Sequence, residues 1–259
     1  MDPVLIPTAE IARFVVVLFR VGGVMVFAPF FSSAAIPTQV RVVFALVASV
    51  ALAPCLPMGQ VQWESGAFPL LTLLLGEALI GMIIGLVSLF LFAGMQLAGQ
   101  IISFQLGFAI INVIDPQSEV EMTVFSFIEN YVGLLFFLLI NGHHWFLIAV
   151  GDSFNYLPVS GLHLNGPFVA EIVGLSSQML VSGVQIAAPV IAVTIITDVV
   201  LAIVGRAAPQ INIFIVGMPA KTLVGFVSMS ISFYFLPHYL SYQFAAMYRE
   251  ISGLLHKLI

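Results

Sequence analysis

Charged residues are scarce in this chain, and their scarcity excludes most soluble folds. Only 7% of the 259 residues are charged, whereas 61% are hydrophobic. A soluble domain carries about 25% charged residues, because its surface must face water. Several apolar runs also exceed the ~18 residues that make a candidate membrane helix. The sequence therefore predicts an all-α, polytopic, membrane-associated protein.

Cysteine and clustered charge are also nearly absent. Cys55 is the only cysteine, so disulfides within the chain and cysteine-based metal sites are excluded. The 12 acidic and 7 basic residues are scattered, which leaves a formal net charge of −5 and no basic patch for nucleic acid. The opening Met1-Asp2-Pro3 lacks the basic start of a secretory signal, so we expect no cleaved leader.

Motifs typical of enzymes are missing as well. The chain has no G-x-S-x-G sequence and no glycine-rich phosphate loop, so neither a catalytic residue nor a cofactor is predicted. His143 and His144 are adjacent in NGHHWF and lack the H-E-x-x-H spacing of a zinc site. A polar turn at the membrane interface, anchored by Trp145, is favoured over a metal site there.

Apolar runs organise residues 1–259 into one predicted membrane-embedded helical domain, without a repeat or a linker. They cover residues 11–31, 42–56, 68–98, 123–140, 168–204 and 211–236. The third run would form ~46 Å of helix, longer than the ~30 Å hydrocarbon core. The fifth is longer still and is interrupted by Pro189. Gly81 and Gly85 give the third run a small-x-x-x-small face, which is typical of helices that pack on helices.

The distribution of basic residues gives no consistent topology. If six spans place Arg41 and Arg206 inside, Arg249 and Lys257 fall outside, which contradicts the positive-inside rule. A break of the fifth run at Pro189 would bring the tail inside. Long runs with an inconsistent charge bias predict helices that are partly buried by other subunits.

Ionisable residues within apolar runs are costly in lipid and usually face a partner or a cavity. They are Arg13, Arg20, Glu77, Glu129 and Asp198. Arg13 and Arg20 lie one heptad apart on one helix face, and Asp198 lies on the same face as Arg206 with opposite charge. These residues could form pairs that fix assembly, or a proton relay. Pairing is favoured for Glu77 and Asp198, because no third acid or buried histidine lines up with them.

An apolar segment broken by glycines, amides and an Asp-Pro covers residues 99–122, GQIISFQLGFAIINVIDPQSEVEM. Phe108, Ile110 and Ile111 are too apolar for a water-exposed loop, while Gly107 and Pro116 discourage one continuous helix. Irregular backbone at membrane depth is tolerated only inside protein or along a cavity. The segment is therefore predicted to be a seal across a pore or a wedge between subunits.

Motifs along nearly the whole chain make it resemble the FliR family of membrane proteins, which belong to the export apparatus of flagellar type III secretion, and its injectisome relatives. The motifs occur in the family's order. They are APFFSSAAIPTQVRVVFAL (28–46), GEALIGMIIGL (76–86), GQIISFQLGFAIINVIDPQ (99–117), NGHHWF (141–146), DSFNYLPV (152–159) and GRAAPQINIFIVGMPAK (205–221).

The resemblance implies a non-enzymatic subunit of a protein-export gate in the bacterial inner membrane, at the flagellar basal body. FliP-like and FliQ-like subunits would form the channel with it, an FlhB-like protein would associate at the cytoplasmic side, and unfolded flagellar proteins would be the substrate. Much of the chain would then contact other subunits, and the rest membrane lipid.

The resemblance also assigns a plug loop to residues 107–121, which would help obstruct the pore until substrate arrives. The plug residues implied are Gly107, Phe108, Ala109, Ile110, Ile111, Asn112, Asp115 and Pro116. Candidates for ion pairs that fix assembly are Glu77, Asp198, Arg206 and Lys221.

Two other functions stay open from the residues alone. A proton-coupled permease for ions or small molecules could use Glu77 and Asp198 as coupling acids, although no matched pair of broken helices is present. An intramembrane enzyme built around His143 and His144 is the third alternative.

Overall fold

The computed structural model describes residues 8–32, 36–56, 67–108, 123–159, 161, 166–210 and 212–256. Within these ranges the chain is helical and has no β-strand, which confirms the predicted fold class. The helices are α1 (Thr8–Phe27), α2 (Pro29–Ser32), α3 (Thr38–Leu52) with a 3₁₀ turn (Ala53–Cys55), α4 (Ala67–Gln105), α5 (Val124–Leu139), α6 (Gly142–Tyr156), α7 (Gly166–Ala207) and α8 (Ile213–His256).

Three helices are much longer than a hydrocarbon core is thick. α4 has 39 residues, α7 has 42 and α8 has 44. At 1.5 Å per residue they measure roughly 58–66 Å. The predicted runs 68–98 and 211–236 are too short, because the helices continue through polar residues that find partners in the protein. In α8, for example, the Gln243 amide donates to the Tyr239 hydroxyl over 2.6 Å.

Prolines within the long helices do not end them. α7 runs unbroken through Pro189, and α8 runs unbroken through Pro219 and Pro237. The interruption of the fifth run at Pro189 is therefore not a break in the helix. An interior proline frees one carbonyl, and membrane helices tolerate this where neighbouring groups satisfy the freed backbone.

The apolar pattern does not reveal helix α6. His143, His144 and Asp152 lower its hydropathy, so it shows no long apolar run. It begins after Asn141, whose φ of 57° is left-handed. Asparagine adopts this conformation more readily than most residues, so it can redirect the chain between two adjoining helices.

Four helical stretches in the described chain are long and apolar enough to cross a membrane. They are Thr38–Cys55, Phe68–Gln105, Phe168–Ala207 and Ile215–Leu255, and α5 with α6 gives a fifth if this broken pair is one span. α1 is not among them, since Glu10, Arg13 and Arg20 all fall within its 20 residues. Charges are costly in hydrocarbon, so α1 is a poorer candidate span than the other helices of the described chain, although the sequence counts it among six runs.

The chain divides into two compact units. Unit 1 comprises Met1–Phe90, Phe137–Leu175 and Phe244–Ile259, and unit 2 comprises Leu91–Phe136 and Ser176–Gln243. In unit 1, α1 packs against α3 and α6. In unit 2, α7 and α8 form an antiparallel hairpin, in which Asp198 meets Lys221 and Gln185 meets Tyr239. The single domain over residues 1–259 stays a prediction.

Candidate functional site

Helix α4 ends where the sequence predicts that regular helix gives way. Its last residue is Gln105, and Gly107 has a φ of +83°, which favours glycine. The Phe108 amide donates to the Ser103 carbonyl over 3.0 Å, and the Gly107 amide donates to the Phe104 carbonyl over 3.1 Å. These two bonds make a Schellman motif, which satisfies the last carbonyls of the helix.

Both ends of the predicted plug loop lie at one place in unit 2. Phe108 stands directly before the undescribed residues 109–122, and Phe125 follows them on α5. Their ring centroids are 5.2 Å apart. Phe226 of α8 completes the cluster, 6.5 Å from Phe108 and 5.6 Å from Phe125. The chain therefore leaves and returns to the same aromatic cluster, where Phe108 remains 36% exposed.

Most of the predicted plug residues lie outside the described part of the chain. Of that set, Gly107 and Phe108 are described. The others are Ala109, Ile110, Ile111, Asn112, Asp115 and Pro116.

A tight seam between α4 and α5 supports the returning end of the loop. We use "the α4–α5 seam" for Gln96 and Gly99 of α4 with Ser126, Glu129 and Gly133 of α5. The Ser126 hydroxyl donates to the Gln96 carbonyl over 3.1 Å. A Cβ on Gly99 would lie 2.3 Å from the Ser126 Cα, so only glycine permits this approach.

The first turn of α5 is capped by Thr123, directly after the loop. The Ser126 backbone amide donates to the Thr123 hydroxyl over 3.2 Å. This is the contact expected of an N-cap threonine, which satisfies one of the free amides at a helix start. The returning end of the loop is thus fixed by a helix cap and by helix packing.

Glu77 forms a buried ion pair with Arg20 in unit 1. Arg20 Nη2 lies 2.6 Å from Glu77 Oε2, and the two side chains are 0% and 1% exposed. Arg20 Nε also donates to Glu77 over 2.7 Å, while Arg20 Nη1 donates to the Ser153 hydroxyl over 2.9 Å. The guanidinium carbon lies 3.7 Å from the centre of the Phe154 ring. The sequence predicts that both charged residues need a partner, but it does not predict that they pair with each other. It also does not place Ser153 and Phe154 at this site, because α6 is not predicted.

The glycines of α4 allow α1 to approach closely enough for this pair. A Cβ on Gly81 would lie 2.0 Å from the Arg20 carbonyl oxygen, and one on Gly85 would lie 2.7 Å from the Val24 carbonyl oxygen. On α1, a Cβ on Gly23 would lie 2.2 Å from the Ala78 carbonyl oxygen. These contacts confirm that the small face of Gly81 and Gly85 packs against a helix.

Asp198 pairs with Lys221 of α8 and not with Arg206. Lys221 Nζ lies 2.7 Å from Asp198 Oδ2, with side chains 20% and 51% exposed. The sequence offers both Arg206 and Lys221 as ion-pair candidates. Arg206 is not the partner, because residues eight apart on a helix are separated by ~12 Å along its axis. Arg206 instead lies in the last turn of α7, where a positive charge is favourable.

His143 and His144 lie in the first turn of α6, with ring centroids 4.4 Å apart. Among the described residues, no group of three His, Cys, Asp or Glu side chains is placed to hold a metal ion. His143 borders an apolar hollow of about 420 Å³ with Phe30, Phe44 and Arg41. The geometry here supplies no arrangement of nucleophile and base.

Comparison with known proteins gives a consistent result along the chain. A family model described as "Bacterial export proteins, family 1" matches residues 11–247. The chain is similar to the flagellar biosynthetic protein FliR of Escherichia coli (strain K12), with 30% identity over 241 residues that cover 93% of this chain and 92% of the relative. It is 32% identical over 219 residues to FliR of Bacillus subtilis (strain 168), covering 83% and 84% of the two chains. The FliR of Aquifex aeolicus (strain VF5) is 28% identical over 214 residues, covering 83% and 82%.

Proposed function

Because the chain belongs to the FliR family of bacterial export proteins, we propose that it is a channel subunit of the flagellar export gate, kept closed in part by residues 107–121. The family membership makes it a flagellar export protein, and its long apolar helices make it a membrane protein. We place it in the inner membrane at the flagellar basal body, with unfolded flagellar proteins as substrate.

The observation that carries the plug proposal is the aromatic cluster at the base of residues 109–122. Phe108 and Phe125 contact each other and Phe226, so both ends of an apolar segment are fixed to one site. The segment between them contributes Ile110, Ile111 and Val113. An apolar constriction resists hydration and stops ions, which is the action required of a plug.

Exposed apolar helix faces support an assembly with other subunits. In the α7–α8 hairpin, Val199, Ile203 and Val227 are more than half exposed, and so are many neighbours. Exposed apolar surface of this extent is typical of protein or lipid contact. We propose FliP-like and FliQ-like subunits, together with membrane lipid, as its covering, and an FlhB-like protein at the cytoplasmic side.

No observation favours the permease alternative. Its two coupling acids are both engaged in ion pairs, Glu77 with Arg20 and Asp198 with Lys221. A permease would also require each acid to exchange protons with a substrate path. Glu77 and its counter-charge Arg20 are 1% and 0% exposed, so both are buried in the described part of unit 1.

Deletion of residues 109–116 tests the plug proposal, since it leaves Gly107, Phe108 and the cluster in place. The complex purified with its partners should assemble and then conduct ions across planar bilayers at rest. The matched control replaces Gln117 and Ser118 with alanine, in the same loop but without removing apolar bulk, and should stay closed. If the deleted complex assembles and remains as tight as the unmodified one, the plug proposal is wrong.

A further inference from the structure

Glu129 of α5 is an acidic residue that is buried in the described structure. Its side chain is 1% exposed, and Oε2 is buried with no hydrogen-bond partner among the described residues. The contrast with Glu77 is direct, because that equally buried carboxylate is bound by Arg20 through two nitrogens. Buried charges are normally paired, so Glu129 requires a different explanation.

Glu129 lies on the face of α5 that packs against α4. Ser126, one turn earlier, donates to the Gln96 carbonyl. Gly133, one turn later, faces Met95, whose sulfur would lie 2.4 Å from a Cβ placed there. Residues three and four apart share a helix face, so Glu129 lies in the middle of the α4–α5 seam.

The described helices around the seam have no free basic side chain that could pair with the Glu129 carboxyl. α4 has no ionisable residue between Ala78 and Gln105, and α7 has none between Ser176 and Thr197. On α8, Lys221 is bound to Asp198 and His238 is exposed. The charge of an ionised Glu129 would therefore be uncompensated in the packed seam.

We propose that Glu129 is a proton-binding site which holds the α4–α5 seam closed while protonated. When the carboxyl O–H bond breaks, the proton passes to water and a negative charge remains among apolar side chains. Such a charge is expensive to keep buried, so the seam opens to hydrate it. The seam holds Ser126 and Phe125 at the returning end of the plug loop, so its opening would loosen that end. This last consequence rests on the proposed function, whereas the proton site itself does not.

The distance between α4 and α5 measures the proposal directly. Spin labels are placed at Phe104 and Phe127, whose side chains are exposed on the two helices, after Cys55→Ser removes the native thiol. Electron–electron distances are recorded at pH 5.5 and pH 8.5 on the full chain, purified with its bound partners. We expect a shift to longer and broader distances at the higher pH.

Two variants separate ionisation from general destabilisation. Glu129→Gln keeps the shape of the neutral acid, and Glu129→Met replaces it with an apolar side chain of similar length. Both should keep the short distance at both pH values, whereas the control Glu10→Gln, an exposed acid on α1, should shift as the unmodified chain does. A distance that does not change with pH in the unmodified chain, or a pH shift that persists in both variants, would overturn the proposal.

Conductance recorded on the same samples distinguishes a failure of the proton-site proposal from a failure of the plug proposal. If the distance responds to pH while the pore stays closed, the proton site stands and its coupling to the loop is wrong. If the distance does not respond, the proton site is wrong whatever the conductance does.

Discussion

Arg20 and Glu77 are 57 residues apart in the chain, yet their side chains form an ion pair that is 0% and 1% exposed. Arg20 Nη2 also donates a hydrogen bond to the Leu157 carbonyl over 3.2 Å. The guanidinium therefore connects α1, α4 and the end of α6. Taking two charges out of water costs several kcal/mol per ion, and good geometry must offset it. The pair therefore specifies which helices meet in unit 1.

Removal of one member of this pair should be more harmful than removal of both. Glu77→Met leaves a buried guanidinium without its counter-charge, which typically costs ~3–5 kcal/mol. The double variant Arg20→Met/Glu77→Met removes both charges and should recover most of that loss. Resistance to protease in detergent measures the effect. Equal sensitivity of the single and double variants would show that the two charges do not act as a pair.

The Asp198–Lys221 pair should matter for assembly more than for the stability of the chain alone. A half-exposed pair contributes ~0–1 kcal/mol when water surrounds it. Within a complex, other subunits would cover it, so Asp198→Asn should reduce the assembled species on blue-native gels. Arg206→Gln, with no part in the pair, should assemble normally.

A charge swap gives a second test of whether the Asp198–Lys221 pair matters for assembly. Asp198→Lys combined with Lys221→Asp keeps the pair and should restore assembly. The permease hypothesis expects the reverse pattern for Asp198→Asn, namely a normally assembled complex that has lost transport.

Two glycines of α4 should respond oppositely to alanine. Gly99→Ala places a Cβ 2.3 Å from the Ser126 Cα, so the α4–α5 seam must move apart. Overpacking of this kind typically costs ~1–3 kcal/mol. Gly76→Ala meets nothing within 4 Å and should stabilise the helix by about 0.5–1 kcal/mol. Cellular protein levels and protease resistance measure both, and a Gly99→Ala chain as stable as the unmodified one would show that the seam is loose.

Phe108 should be more sensitive to truncation than Phe104, although both are aromatic residues near the end of α4. Phe108→Ala removes two ring contacts, each worth ~0.5–1.5 kcal/mol, and loosens the base of the plug loop. Cells carrying it should grow poorly at high salt, because ions leak through the assembled complex. Phe104 is 76% exposed, and Phe104→Ala should cause no leak. Equal growth of the two variants would show that Phe108 has no part in keeping the pore closed.

Local chemistry made part of this structure predictable. Gly107 ends α4 because a left-handed residue there lets the chain satisfy its own last carbonyls. Gly81 and Gly85 mark a helix contact because only small residues let two backbones approach this closely. Each of these features depends on a few neighbouring residues, so the sequence pattern carries it.

The pairings between distant residues were not predictable in this way. Periodicity places Arg20 and Glu77 on helix faces but does not tell which faces meet. Asp198 had a nearer opposite charge in sequence, Arg206, yet the hairpin brings Lys221 to it. Pro189 signals a break, yet α7 continues through it. Tertiary packing decides the two pairings, and a single sequence does not encode it in a local pattern.

The helix end at Gly107 has a consequence for the stretch that follows it. The last turn of α4 satisfies its own last carbonyls, and Thr123 caps α5 on the other side. We therefore expect changes in the length or bulk of residues 109–122 to leave both helix ends intact.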